Sequence, residues 1–155
     1  VLEVGNVLSH YGDVDHVVLD KFERGKGVVN EDILEYSPAE QLDLILSIST
    51  FEHIGFDDEA DGDSGEKIRR AITACQALLA DAGHLVLTVP LGYNPALDAM
   101  IADDQLQSDR AFFIRRTGRL QWEASTAEVA LDCCYGSPFP YANAVMVAEF
   151  RRAAA

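Results

Sequence analysis

Apolar residues along this chain fall into short dense runs separated by polar, glycine-containing stretches. Residues 1–5 (VLEVG) form the first run and read as a buried strand ending at a glycine. HVVL at 16–19 reads as a second strand, ending at Asp20, and GVVNEDI at 27–33 as a short third. LDLILSIS at 42–49 is nearly all apolar, the pattern of a strand covered on both faces. From Gly65 to Asp81 the period changes: Ile68, Ala71, Ile72, Cys75, Leu78 and Leu79 recur at helical spacing, with Ser64 as N-cap. DAG then predicts a turn, HLVLTVP at 84–90 a fifth strand, and PALDAMIA at 95–102 a short helix with Pro in its first turn. AFFIRR at 111–116 and NAVMVAEF at 143–150 read as the final strands.

Strands alternating with helices predict a doubly wound, mainly parallel α/β sheet. Two connections are too short for it. Ten residues (6–15) join the first two strands and seven (21–27) the second and third. A parallel crossover needs about a dozen. The first helix is therefore expected to be a turn or two at most and the second to be missing, which leaves the edge near 28–33 reduced. The chain also starts inside its first strand, so elements that would precede it are expected to be absent.

At 155 residues and 48% hydrophobic, the whole of 1–155 is expected to be one domain around one core. No apolar run approaches ~20 residues, so no membrane span is expected, and a soluble, cytoplasmic protein is the default. The formal net charge of −14, from 12 basic and 26 acidic residues, argues against a nucleic-acid partner. Cys75, Cys133 and Cys134 form no CxxC pair, which argues against a zinc site and fits a reducing compartment. The loop FDDEADGDSGEK has the start of a calcium loop in Asp57, Glu59, Asp61, Gly62 and Asp63. Its twelfth position is Ile68, where the motif requires Glu, so no metal is expected.

Chemistry enters at the strand ends. Glu3, Gly5, Asp20 and Asp32 all stand at or just after the carboxyl end of a predicted strand, the edge where open α/β sheets bind ligands. Gly5 would let a ligand approach the backbone. Asp20 is placed to accept from ribose hydroxyls and Asp32 to lie beside an adenine. An acidic residue after a strand, taken alone, is more often a turn or cap residue, and it is the ordered set that points to a ligand. His53, in Thr50-Phe51-Glu52-His53-Ile54-Gly55 after the fourth strand, reads either as a general base or as a residue that caps the loop. Glu52 orients it or caps the same loop. His10 falls in the first loop, His84 opens a strand, and His16 is expected at the far, amino-terminal edge. Tyr93, Asn94, Phe139, Tyr141 and Asn143, on TVPLGYNP and YGSPFPYANA, are expected to line an acceptor pocket, with Trp122 either beside them or in the core.

These segments resemble the class I S-adenosylmethionine-dependent methyltransferases over almost the whole chain. VLEVG is similar to that family's first motif, VVLD to its second, NEDI to its third, LDLILSISTFEHI to its fourth strand and following loop, and LLADAGHLVLTVPLG to its fifth-strand region. GNVLSHY, LSISTFEHIG, TVPLGYNP and PFPYANAV resemble, more narrowly, a small methyltransferase-like group found among surface-glycan genes.

The resemblance implies a Rossmann-like sheet of order 3-2-1-4-5-7-6 with its last strand antiparallel. It implies S-adenosylmethionine as cofactor, held by Glu3, Gly5, Asn6, Asp20, Asp32, Ile33 and Ser49, with His53 as base. The acceptor would be a hydroxyl of a small molecule or glycan, and a homodimer is a possible assembly. The chain departs from the family's E-x-G-x-G-x-G loop at Val7 and Ser9, which hold the second and third glycine positions. Val does not readily take φ > 0, so the loop must differ in shape. The same departures leave a second reading open, a methyltransferase-fold scaffold with weak or lost cofactor binding. They count more heavily against a dinucleotide dehydrogenase, whose glycines meet a pyrophosphate.

Overall fold

The computed structural model describes residues 1–57 and 64–152. Eight strands form one sheet: β1 (Leu2–Val4), β2 (Val17–Leu19), β3 (Val28–Val29), β4 (Leu42–Ile48), β5 (Leu79–Pro90), β6 (Arg110–Gly118), β7 (Gln121–Ser125) and β8 (Ala144–Arg151). Among the described residues three helices join them: α1 (Ser64–Leu78), α2 (Pro95–Ala102) and α3 (Ala127–Leu131). The spatial order is β3-β2-β1-β4-β5-β8-β6-β7. Strands β1 to β5 are parallel, and β8 runs antiparallel between β5 and β6. This is the expected reduced Rossmann-like sheet with one addition. The edge strand β7 pairs antiparallel with β6, and the hydrophobic pattern did not signal it.

The short connections have the predicted effect. The β1–β2 link holds only a 3-10 turn, Leu8–His10, and no helix lies between β2 and β3, where β3 is cut to two residues. The sheet packs its core on one face. Leu2, Ile45, Leu85 and Phe150 lie in register across four strands, each at most 1% exposed. Ile68, Ala71, Ile72 and Cys75 of α1, Leu97 and Met100 of α2, and Ala130 of α3 close over that row. Intervening residues such as Leu46, Val86 and Val147 are only half-buried. One side of the sheet therefore carries the core, where the nearly continuous apolar run of β4 predicts two covered faces.

Two local readings change. Leu79 already pairs with Leu42, and the ladder then shifts register before His84 pairs with Leu44, so the predicted DAG turn is an irregularity within β5. Ser64 is the first residue of α1, and its hydroxyl donates to the Ile54 carbonyl at 3.0 Å, fastening the helix to the loop after β4. Among the described residues no helix is long and apolar enough to cross a membrane.

Candidate active site

Sheet order reverses at β1: β2 lies on one side of it and β4 on the other. A crevice opens at the carboxyl ends of strands at such a switch point. Here it is a cavity of about 660 Å³, within the usual range for small-molecule sites. Gly5, Asp20, Asp32, Ile33 and His53, all expected at the site, line it. Val4 and Leu19 add apolar wall, and Lys21, Phe22, Thr50, Asp57, Lys67 and Arg70 complete the polar and aromatic part.

Gly5 turns the chain out of β1 at φ 90°, a conformation that disfavours side chains. A Cβ there would lie 2.1 Å from Thr50 Oγ1, so the ends of β1 and β4 close together only because residue 5 is glycine. Asp20, at the end of β2, fixes the loops around it. Its Oδ2 accepts from the Asn6 amide (3.0 Å), and its Oδ1 from the amides of Phe22 (2.9 Å) and Glu23 (2.7 Å). Asp32 accepts from the Leu34 amide at 2.9 Å and lies 3.1 Å from Lys21 Nζ.

Three expected cofactor residues do not line the cavity. Glu3 is fully buried. Its Oε1 accepts from the amides of Val7 (2.9 Å) and Leu8 (2.8 Å), and its Oε2 lies 2.7 Å from His16 Nε2. Burial pushes this carboxyl upward, but the bonds from His16, Leu8 and Val7 outweigh that and hold it below the usual range. Glu3 thus shapes a loop that lacks its second and third glycines, and His16, expected at the far edge, is the partner that lets it. Asn6 donates its backbone N–H to Asp20 and its side-chain amide to Glu23, and its Oδ1 accepts from the Ser9 hydroxyl. Ser49 is exposed at φ 47° and bonds the Thr88 carbonyl through its backbone N–H.

His53 belongs to a 3-10 turn, Phe51–His53, that follows β4. Its Nδ1 lies 2.6 Å from Asp57 Oδ2, and the Tyr93 hydroxyl donates to the same oxygen at 2.6 Å. Since a carboxylate only accepts, Nδ1 is the donor here, and in the neutral imidazole Nε2 then carries the lone pair. The bonds from Tyr93 and then His53 hold Asp57 below the ordinary carboxylate range, and the same Asp57 contact pushes the Tyr93 hydroxyl up to about 12. Tyr93 packs edge-on against His53 (centroids 5.0 Å), Tyr135 (4.9 Å) and Phe56 (5.9 Å). Gly92 allows this: a Cβ on it would meet the Cys133 carbonyl at 2.6 Å, so only glycine brings the 133–135 loop so close.

The other expected acceptor residues do not line the cavity, and Asn94 and Asn143 hold its frame instead. Asn94 is 1% exposed. It caps α2 by accepting from the amides of Ala96 and Leu97, and donates to the Glu52 carbonyl and Ser64 Oγ. Asn143, 2% exposed, ties together the carbonyls of Cys134, Phe139 and Tyr141. Tyr141 is 76% exposed and stands outside the cavity. Phe139 and Trp122 both stack on Arg116. Sequence reasoning missed Asp57, which it assigned to an acidic loop. The i,i+4 spacing from His53 was the available signal. The remaining residues of that loop, 58–63, lie outside the described residues.

No protein-family model matches the chain, and comparison with curated proteins finds no match. Solved structures do match. N-methyltransferase NodS from Bradyrhizobium japonicum WM9, in complex with S-adenosyl-L-homocysteine, aligns over 99% of this chain and 77% of its own, with TM-score 0.54 and 18% identity. A SAM-dependent methyltransferase from Archaeoglobus fulgidus aligns over 96% and 84%, with TM-score 0.51 and 14% identity. At such identities the likeness speaks for the fold, and the fold of this chain is that of the class I S-adenosylmethionine-dependent methyltransferases.

Proposed function

We propose that the protein transfers a methyl group from S-adenosylmethionine to a hydroxyl of a small molecule or glycan. The observation that carries this reading is the pairing, in one cavity, of the strand-end residues Gly5, Asp20, Asp32 and Ile33 with the His53–Asp57 dyad. The residues suit the cofactor. Gly5 leaves backbone bare at the end of β1. Asp20 keeps lone pairs beyond its three backbone contacts, since a carboxylate offers about four acceptor positions, and these suit a ribose diol. Ile33, 8% exposed, with Leu19 and Val4 supplies an apolar surface for a flat base.

When bound, the cofactor supplies an electrophilic methyl group on a sulfonium. The chain supplies proximity and a proton acceptor. Asp57 holds His53 Nδ1–H, which leaves Nε2 to take the proton of an acceptor hydroxyl as its oxygen becomes the nucleophile. Tyr93 fixes Asp57 from the other side and packs on the imidazole, so the dyad keeps its orientation although His53 is half-exposed.

A scaffold reading draws on one observation. Lys21 is already paired with Asp32 at the place proposed for the adenine. Calorimetric titration with S-adenosylmethionine and S-adenosylhomocysteine separates the two. Binding is expected, and its absence at millimolar ligand would overturn the enzyme reading. Asp20→Ala should weaken binding about fivefold or more, near 1 kcal/mol, the scale of a lost charged hydrogen bond.

A further inference from the structure

Glu52 precedes His53 in the same 3-10 turn, and no step above uses it. It is 2% exposed, and its Oε1 lies 3.7 Å from His53 Nε2, too far for a hydrogen bond yet close for two charges. Its Oε2 is buried without a hydrogen-bond partner among the described residues. A carboxyl so enclosed does not reach a substrate. Its main-chain carbonyl is tied to Asn94, which keeps the turn in place. A buried, half-partnered oxygen is costly as an anion and less costly as an acid. Burial accordingly pushes this carboxyl up to about 7.

The imidazole is flanked on both nitrogens: Asp57 on Nδ1, Glu52 on the side of Nε2. The Tyr93 ring, with Tyr135 behind it, covers its edge. Across the shared cavity stand Asp20, Lys21, Glu31, Asp32, Lys67 and Arg70. Of these groups, Glu52 is the one shut away from solvent.

We propose that Glu52 is a positioning residue for the His53 base, and that Glu52 and His53 titrate as one coupled pair. The proposal rests on the reading of His53 as base. In the working state the pair holds one proton. With that proton on Glu52, Nε2 keeps its lone pair for the acceptor. When Nε2 takes the acceptor's proton, the imidazolium lies between two carboxyl groups. The surplus proton then leaves to water through His53, which Glu52 has no exposure to do itself.

Ring signals of the four histidines, followed by NMR across pH 4.5 to 9 in the full chain and assigned with His53→Gln, test this. Strongly interacting groups titrate in two macroscopic steps. His53 in the wild-type protein should show two. Glu52→Gln should reduce them to one and move its midpoint down by about one pH unit, the scale for loss of an opposite charge at this distance. Glu52→Asp should keep two steps. The acid limb of the methylation rate should move with the ring signals in Glu52→Gln. A one-step wild-type curve overturns the proposal even if no variant folds, and so does a Glu52→Gln curve that superimposes on the wild type. Two-step titration in a protein that binds no S-adenosylmethionine would sink the methyltransferase reading and leave the Glu52–His53 pair standing.

Discussion

A methyl group added at Gly5 has nowhere to go: the backbone is at φ 90° and Thr50 Oγ1 occupies the space. Gly5→Ala should lower stability by about 1 to 3 kcal/mol, read from the thermal or urea midpoint. Thr50→Ala in the same chain should recover only the part due to the contact. His53→Ala should reduce turnover about a hundredfold, the usual weight of a general base.

Glu52 makes stability depend on pH in an unusual direction. Its folded-state value, about 7, lies above the ordinary 4.5, so between those limits the folded state binds more protons than the unfolded one. Stability from this group is therefore present below about pH 4.5 and is lost as pH rises through 7. The full shift corresponds to roughly 3 kcal/mol. Glu52→Gln should stabilise the protein at pH 8 and change little at pH 4.5. Glu3 acts oppositely: its value is depressed, so its contribution is lost as pH falls below 4.5.

Of the site, the strand-end glycine, the two aspartates and the histidine were readable, because strand ends can be located from apolar runs. That Glu3, Asn6 and Ser49 stand outside the cavity was not. Their partners, His16, Glu23 and Thr88, lie from 13 to 39 residues away, and spacing says nothing about such meetings.

At the level of elements, one buried cap ties three of them together. Asn94 terminates α2 and also joins it to the 3-10 turn of Glu52 and to the start of α1. Asn94→Ala should cost about 2 kcal/mol, above an ordinary cap because buried donors and acceptors lose partners as well. It should also loosen His53, visible as faster amide hydrogen exchange over residues 51–54. The hydrophobic pattern revealed β1, β2, β4, α1, β5, α2 and β8, which carry buried residues, and also β3 and the partly buried β6. It missed β7 because QWEAS lies at the sheet edge with four of its five residues exposed, and an unburied strand leaves no apolar alternation to read. The β1–β2 and β2–β3 links, 5–16 and 20–27, are slightly longer than the counted 6–15 and 21–27, yet they hold only a 3-10 turn and no helix, as the counting of residues implied.

At the scale of the molecule, 14 surplus negative charges repel one another. Raising salt from about 0.01 to 0.15 M shortens the screening length from about 30 to 8 Å, and the melting temperature should rise over that interval. The order of the strands carries a further consequence, for the making of the protein. β8 follows the other seven described strands in sequence but sits third from the edge, between β5 and β6. The hairpin of β6 and β7 is synthesised earlier, yet among the described residues its sheet pairing reaches the parallel strands through β8. On a ribosome that hairpin must wait, unattached, until Ala144–Arg151 emerges. The joining of the two halves of the sheet is thus a late, long-range event, and one of the slower kind.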